Sequence, residues 1–292
     1  MDTEPTRGSS GRRVVIVIAS VIMCGFCACC ALIFGGIGAT AGLGALLLSN
    51  SATTSDTQTV SLAANDVRSI TIDDANIGVT MRGSTEDTDT ITFDIEYTAN
   101  SYSEGTAESA LSDITLNIQQ DSTNGLTVTL ENNAAWYVFA GADLEITVPA
   151  EMESVMIDSA ETVMISNVTA DFDIEVTGGA DVTLNNVNGT FNVASTISIG
   201  EISFRGNMAP NATHHFETRS GDIDITFLDT PSLAYTVNTG RDQQVANANQ
   251  FGDVECPDGA TVSEFFCSGQ LGDGTGQLDV VSRSGDVTIT VP

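Results

Sequence analysis

The feature that most restricts this chain is a repeat with a period of about 20 residues. The segment "VMIDSAETVMISNV" begins at Val155, and "IEVTGGADVTLNNV", its counterpart, begins at Ile174. Without a gap, Val163 falls on Val182, Ile165 on Leu184, Val168 on Val187 and Phe172 on Phe191. Ile202 and Phe204 continue the series from Val182 and Leu184, and Ile223 and Ile225 continue it once more. A unit this short has no core of its own and buries its apolar face only by stacking on its neighbours. It is too short for a four-stranded propeller blade and lacks the leucine and asparagine signature of leucine-rich repeats. Each unit reads as two short strands meeting at a small-residue corner: Ser159-Ala160, Gly178-Gly179, Ser220-Gly221 and Thr239-Gly240. The pattern predicts an all-β fold, a right-handed single-chain β-solenoid with rungs of about 20 residues over 151–292.

Within that region one phrase is written twice. "TRSGDIDITF" (Thr218–Phe227) returns as "SRSGDVTITV" (Ser282–Val291). The interval from Gly221 to Gly285 is about three rungs, so the two phrases are expected at equivalent corners with an insertion between them. Three rungs would separate Asp222 from Asp286 by about 14 Å. The second copy would then close the stack. In this reading Gly178, Gly179, Gly221, Gly240 and Gly285 supply positive φ at the corners, while Asp222 and Asp286 bond their own backbone two residues on. The serine in Arg-Ser-Gly-Asp separates it from Arg-Gly-Asp ligands. The insertion, 241–276, is polar and reads as a loop. It holds Cys256 and Cys267, a pair with ten residues between them, flanked by Pro257 and Gly259. In an oxidising compartment that pair reads as a loop-closing disulfide.

Upstream, "RSITIDDANIGVTMRG", "DTITFDIEYT", "SDITLNIQQ", "GLTVTLEN" and "DLEITVP" alternate apolar with polar and are rich in Val, Ile and Thr, as half-buried strands are. Asn124-Gly125 between two such runs is a hairpin signal. Residues 60–150 are therefore expected to form an N-terminal β part with antiparallel-like neighbours. One helical turn is expected, "SEGTAESALSDI" from Ser103 to Ile114. The Ser/Thr-rich 49–59 reads as a linker.

Val14 to Leu48 carries no charge, and Val14 to Phe34 already provides the roughly 20 apolar residues that cross a bilayer. A cleaved signal peptide would have an apolar core of about 7–15 residues, so 14–48 reads as an uncleaved transmembrane signal anchor. Arg12 and Arg13 abut its N-terminal end, which places 1–13 as a cytoplasmic tail and the bulk of the chain outside the cell membrane, single-pass. Cys24, Cys27, Cys29 and Cys30 within the anchor read as packing residues in lipid, with palmitoylation or a lipoprotein signal as the weighed alternatives.

The chain has nine arginines, no lysine and 39 acids, for a formal charge of −30. Two of the acids and three of the arginines precede residue 14, leaving 37 acids and six arginines, a net −31. Such a charge repels nucleic acid and anionic lipid and suits cationic partners or divalent ions. It also keeps a surface solvated and resistant to aggregation.

With the alternating strand closed by Val148-Pro149, and then rungs of the form small-Gly-Asp-apolar-x-apolar, Asp143–Gly189 and the two hexamers resemble the putative-adhesin family of bacterial surface proteins, β-strand-repeat proteins related to the head-GIN domain. Ser220-Gly221-Asp222-Ile223 and Ser284-Gly285-Asp286-Val287 match the phrase. Gly179-Ala180-Asp181-Val182 matches with one extra residue, and the first rung departs, with Ala160 and Glu161 in place of Gly and Asp. The resemblance spans most of 60–292. It implies a singly anchored, surface-exposed β-solenoid with no catalytic residues to carry over.

No convincing active site stands out. His214 and His215 are adjacent, so on a strand they face opposite sides and cannot clasp one metal together. A lyase-like β-helix enzyme would want clustered acids with a basic residue. Asp222, Asp224, Asp286, Arg219 and Arg283 imitate that set, but the three-rung separation argues against it. Asp73-Asp74 and Asp273 to Asp279 offer oxygen-rich loops to calcium without the spacing of an EF-hand or of a calcium-binding β-roll. No cofactor is expected otherwise. Asn167-Val168-Thr169, Asn188-Gly189-Thr190 and Asn211-Ala212-Thr213 are sequons, acceptors only in a secretory pathway that glycosylates. The expected function is a non-enzymatic surface scaffold or adhesin-like module. The alternatives are an envelope-stress or ligand-sensing protein that binds cationic peptides and, less favoured, a polysaccharide-active enzyme.

Overall fold

Where the sequence alternates, the chain is strand, because β-branched residues on every second position bury one face of a pleated backbone and leave the other to water. The computed structural model describes residues 52–292, apart from 65–66, 74–76, 85–89, 102, 122–123, 134–138, 159, 178–180, 196–199, 240–252 and 264. The expected anchor at 14–48 lies outside the described residues, as do the corner glycines Gly178, Gly179 and Gly240. Among the described residues no helix is long and apolar enough to cross a membrane.

The strands are β1 (Ala52–Ala63), β2 (Ser69–Asp73), β3 (Ile77–Gly83), β4 (Thr90–Ser101), β5 (Ile114–Gln120), β6 (Gly125–Asn132), β7 (Phe139–Val148), β8 (Glu151–Asp158), β9 (Thr162–Ser166) and β10 (Thr169–Val176). They continue with β11 (Val182–Ser195), β12 (Ile202–Met208), β13 (Thr213–Thr218), β14 (Ile223–Phe227), β15 (Leu233–Thr239), β16 (Val254–Glu255), β17 (Thr261–Ser263), β18 (Phe266–Leu271), β19 (Gly276–Ser282) and β20 (Val287–Thr290). Among the described residues the chain is all-β but for one helix, α1 (Glu104–Ser112). The segment expected as a linker, 49–59, already carries the first part of β1.

Contacts divide the chain into two units. The described residues of the first fall within 52–58, 95–115 and 131–142. It contains α1, which the segment from Ser103 to Ile114 predicted. Ser103 takes an extended N-cap conformation, and its hydroxyl accepts the Thr106 N–H at 3.3 Å, satisfying a donor that the helix itself cannot. Ala107 and Ala110 bury against Ala99, with Leu111 and Ala140 packed alongside.

The second unit comprises 59–94, 116–130 and 143–292. In it two ladders of strands run side by side, and each rung contributes one strand to each. The first ladder has the order β6–β2–β8–β10–β11–β13–β19–β15, every pairing parallel. Beyond β15 the pairing turns antiparallel, through β18 and then β17. The second ladder has the order β3–β9–β11–β12–β14–β20–β16, again parallel throughout. β11, at 14 residues, is long enough to serve both ladders: Val182–Asn185 pairs with β9 and Asn188–Ser195 with β10. The register follows the repeat: Phe172 faces Phe191, Val182 faces Ile202, and Ile202 faces Ile223.

Two rungs stand out of sequence order. The rung β2–β3 lies between β6 and β8 in one ladder and pairs with β9 in the other. At the other end, β19–β20 lies between β13 and β15 in the first ladder and between β14 and β16 in the second. Three expectations change accordingly. The antiparallel-like neighbours expected in the N-terminal β part are not those of β2 and β3, which pair in parallel with later strands. The two Arg-Ser-Gly-Asp corners are not three rungs apart but on adjacent rungs, and the second is interior rather than the closing end. The segment 241–276, expected as a loop, carries β16, β17 and β18. Its excursion lets the last rung slot in beside β13 and β14.

The core runs between the ladders as rows of buried side chains. Ile70, Val155, Phe172 and Phe191 form one row; Ile72, Ile157, Ile174 and Val193 form the next. Phe172 and Phe191 stack at 5.1 Å between ring centroids with planes 4° apart. Phe204, from the facing ladder, meets Phe191 edge-on at 4.8 Å. Burying each such ring contributes about 1.5–3 kcal/mol from apolar area alone, and offset or edge contacts add about 0.5–1.5 kcal/mol.

Candidate functional site

The two edges of the rung stack, where each rung passes from one ladder to the other, have opposite chemistry. At the first edge the chain leaves the first ladder and enters the second. The residue before each second-ladder strand is an acid on five successive rungs: Asp181, Glu201, Asp222, Asp286 and Asp253. Their stacking is set by the backbone. Val163 N–H donates to Asp181 O, Val182 N–H to Glu201 O, Ile202 N–H to Asp222 O, Ile223 N–H to Asp286 O and Val287 N–H to Asp253 O, at 2.8–3.0 Å. All five side chains are exposed.

The carboxylates are stapled to one another's backbones. Asp181 Oδ1 accepts the Glu201 N–H at 3.0 Å, Asp222 Oδ1 the Asp286 N–H at 2.8 Å, and Asp286 Oδ1 the Asp253 N–H at 2.7 Å. The aspartates of the hexamer therefore do not close their own turns, as the sequence suggested; each holds the next rung in register. Such charge-assisted bonds offset part of the repulsion between acids one strand spacing apart, ~4.8 Å. Glu201 has its pKa pushed above the ordinary 4.5, by burial first and then by the charges of Asp224, Asp181 and Asp222.

Behind the acids runs a column of buried hydroxyls, Ser195, Thr218, Ser282 and Thr239, each nearly or fully inaccessible. Thr218 Oγ1 donates to Gly200 O and accepts the Gly221 N–H; Ser282 Oγ donates to Gly221 O and accepts the Gly285 N–H. One rung is thereby hung on the other. The glycines are needed for closeness rather than for positive φ, which neither Gly221 nor Gly285 has. A methyl group at Gly221 would strike the Gly200 carbonyl, and one at Gly285 the Gly221 carbonyl. The arginines of the two hexamers differ: Arg283 pairs with Glu217 at 3.3 Å, while Arg219 makes no ion pair among the described residues.

The opposite edge is mostly amides and hydroxyls, with Glu151 and Asp229 as its acids. Asn167 and Asn186 turn their rungs with positive φ, 57° and 54°, a conformation asparagine tolerates better than most residues. Asn186 Nδ2 donates to Asn167 Oδ1 at 2.7 Å. Alongside, Asn188 Nδ2 donates to Thr169 Oγ1 at 3.4 Å. Further along the stack, Asn207 and Asp229 exchange two bonds, with Asn207 Nδ2 donating at 3.1 Å and the Asp229 N–H donating at 2.9 Å. Ser84, Glu151, Asn167, Thr169, Asn186 and Asn188 line a shallow depression on this edge. Of the three sequon asparagines, Asn167 and Asn188 thus share one edge on neighbouring rungs. Asn167 and Asn211 are exposed and Asn188 is half-buried.

The outward faces of the first ladder are also acidic. Asp73, Asp158 and Glu175 occupy one row on three successive strands. His215 lies outward between Glu217 and Asp279, 3.4 Å from each. His214 points the other way and is fully buried, a core position. Its Nδ1 accepts the Phe191 N–H at 3.3 Å and its Nε2 meets Ala209 O at 3.1 Å, which selects the neutral tautomer with the proton on Nε2. Burial holds its pKa below the ordinary 6.5.

Cys256 and Cys267 are joined by a disulfide that ties the loop after β16 to β18. Among the described residues no group of three or more His, Cys, Asp or Glu is arranged to hold a metal ion. The amide edge, the hydroxyl column and the role of Asp181, Glu201 and Asp253 were not read from the sequence. The signal for the acids was present: each stands directly before a Val or Ile that opens a strand.

No family model matches the chain, and no curated protein does. Among solved structures it is similar to a putative cell adhesion protein from Clostridium sporogenes, with 12% identity, a TM-score of 0.45, and coverage of 82% of this chain and 100% of that one. It is also similar to a putative adhesin from Bacteroides fragilis, at 9% identity and a TM-score of 0.27, covering 81% of this chain and 97% of that one. A putative adhesin from Parabacteroides merdae aligns at 11% identity and a TM-score of 0.26, covering 80% and 96%.

Proposed function

We propose that this chain is a non-enzymatic, adhesin-like module of the cell surface, a right-handed β-solenoid held to the membrane by 14–48. The observation that carries the reading is the pair of unlike edges. Parallel rungs repeat an acidic column on one side and amide and hydroxyl groups on the other, so contacts can be made many times along one rigid element. The right-handed sense follows from the strong preference of parallel strand–crossover–strand connections, here β8 through β9 to β10. The catalytic alternative loses its distance objection, since Asp222 and Asp286 are adjacent. Each, however, commits a carboxylate oxygen to a backbone N–H of the next rung, which is a structural task.

The test is attachment. Cells displaying the full chain are compared with cells whose chain lacks 60–292, on surfaces and on partner cells. Loss of attachment on deletion supports the module, whereas unchanged attachment rejects it. Protease treatment of intact cells should remove 60–292 and spare 1–13.

A second reading is favoured by the acid column and the acidic outward rows: capture of cationic peptides, with signalling through a membrane partner. Salt-sensitive binding of an arginine-rich peptide, weakened by Asp222→Asn with Asp286→Asn, would support it.

A further inference from the structure

Most of this surface is acidic, and the depression on the amide edge is the exception. Glu151 is its one acid; the rest of its polar lining is Asn167, Asn186, Asn188, Thr169 and Ser84. The Asn186-to-Asn167 bond uses one N–H of Asn186 and one acceptor of Asn167. The Asn167 side-chain N–H groups and the Asn186 Oδ1 take no partner among the described residues, and both side chains are exposed. Thr169 Oγ1, which accepts from Asn188 Nδ2, keeps its hydroxyl hydrogen and one lone pair, and its side chain too is exposed. Donors and acceptors therefore alternate along the edge, on a backbone pinned by the positive φ of both asparagines.

We propose that this edge binds a neutral oligosaccharide laid along the stack, with Asn167, Asn186 and Asn188 as the contact residues. A vicinal diol presents one donor and one acceptor side by side, the complement of a carboxamide, which offers both in one plane. Rungs repeat at the strand spacing, ~4.8 Å, close to the advance of one sugar residue along an extended β-linked chain. Successive sugars can thus meet successive rungs. Charge selects within the class: the acids of the chain repel sulfated or uronic-acid sugars, and the amide edge asks for no counter-charge. No aromatic platform lines the depression, so each sugar is held weakly and affinity accumulates along the edge.

The inference rests on the surface-module reading and names its partner. Its test uses the full chain in detergent micelles, with the hexamer of β-1,4-linked N-acetylglucosamine and that of glucose as neutral probes and a heparin-derived hexasaccharide as the anionic one. Saturation-transfer NMR should show transfer to at least one neutral probe and none to the anionic one. Asn186→Asp should weaken the neutral probe about tenfold by lost donation and added charge, Thr169→Val should weaken it less, and Asp286→Asn on the opposite edge should not. Thermal melting of each variant separates lost binding from lost fold. Transfer to neither neutral probe, preference for the anionic one, or binding indifferent to Asn186→Asp and Thr169→Val in folded protein would overturn the proposal. Attachment that persists without saccharide binding rejects this inference alone; a module without attachment rejects the reading beneath it.

Discussion

The Asp222 carboxylate accepts the backbone N–H of Asp286 at 2.8 Å, across 64 residues of chain. Next to it the Ser220 and Ser284 hydroxyls meet at 3.1 Å. The repeated hexamer is thus one corner copied onto its own neighbour. Its second copy supplies the backbone donor, and its first supplies the acceptor.

That relationship separates charge from hydrogen bonding at Asp222. Asp222→Ala removes the acceptor and should lower stability by about 1 kcal/mol, the net worth of such a bond at an exposed site. Asp222→Asn keeps an oxygen for the Asp286 N–H and removes a charge from a column of like charges. It should match or exceed the parent. Urea midpoints at low salt read both, and Asp222→Asn falling as far as Asp222→Ala would show that the bond is not what matters.

Two glycines should respond in opposite directions. Gly285→Ala forces a methyl onto the Gly221 carbonyl, backbone that cannot swing aside, and should cost about 1–3 kcal/mol or more. Gly105, in the first turn of α1, has open space where its side chain would be. Gly105→Ala should raise stability by up to about 0.5–1 kcal/mol through helix propensity. Thermal melts of the two variants settle the comparison.

The pH dependence has two components of opposite sign. The folded-state pKa of His214 lies below its ordinary 6.5, so its contribution is complete above pH 6.5 and is lost as pH falls through the depressed folded value. Protonation there also removes the acceptor for the Phe191 N–H. Glu201 is the converse: its pKa is raised above 4.5, so its contribution is complete below 4.5 and is lost as pH rises through the folded value. Chemical denaturation across pH 4 to 8 should show a His214→Phe protein flatter just below pH 6.5. A Glu201→Gln protein should lack the fall in stability that the parent shows as pH rises past 4.5.

Reducing the Cys256–Cys267 disulfide should cost about 3 kcal/mol on a loop-closure estimate. The loss should fall on the antiparallel end of the first ladder, because Cys267 lies fully buried in β18, between β15 and β17. Hydrogen exchange of β15, β17 and β18 with and without reductant locates it. Equal loss of protection in β8 and β10 would mean that the stack unfolds as one.

Much of this architecture was legible in the chain itself. The alternation of Ile, Val and Thr defines strands wherever a backbone of period two must bury one face. The spacing of Val163, Val182, Ile202 and Ile223 sets the parallel register that the ladders adopt. Ser103, placed to cap the segment that follows it, marks α1. The hexamer marks its corner, although the reason for its glycines was misread. Positive φ and close backbone approach both select glycine, and no local pattern distinguishes them.

What tertiary structure alone decided is which rung lies against which. The inner faces of β2, β8, β14 and β20 all read as Ile or Val at alternate positions, so any could pack on any other. Placing Ile70 beside both Leu126 and Val155, or Ile223 beside Val287, depends on where long connections allow the chain to return. That return brings Asp222 to Asp286 and lines up the five acids. Positions one period apart on neighbouring rungs, such as Asn167 and Asn186, could be paired by counting. Positions as distant as Asp222 and Asp286 could not, because a short period names an edge of the stack without naming the neighbour.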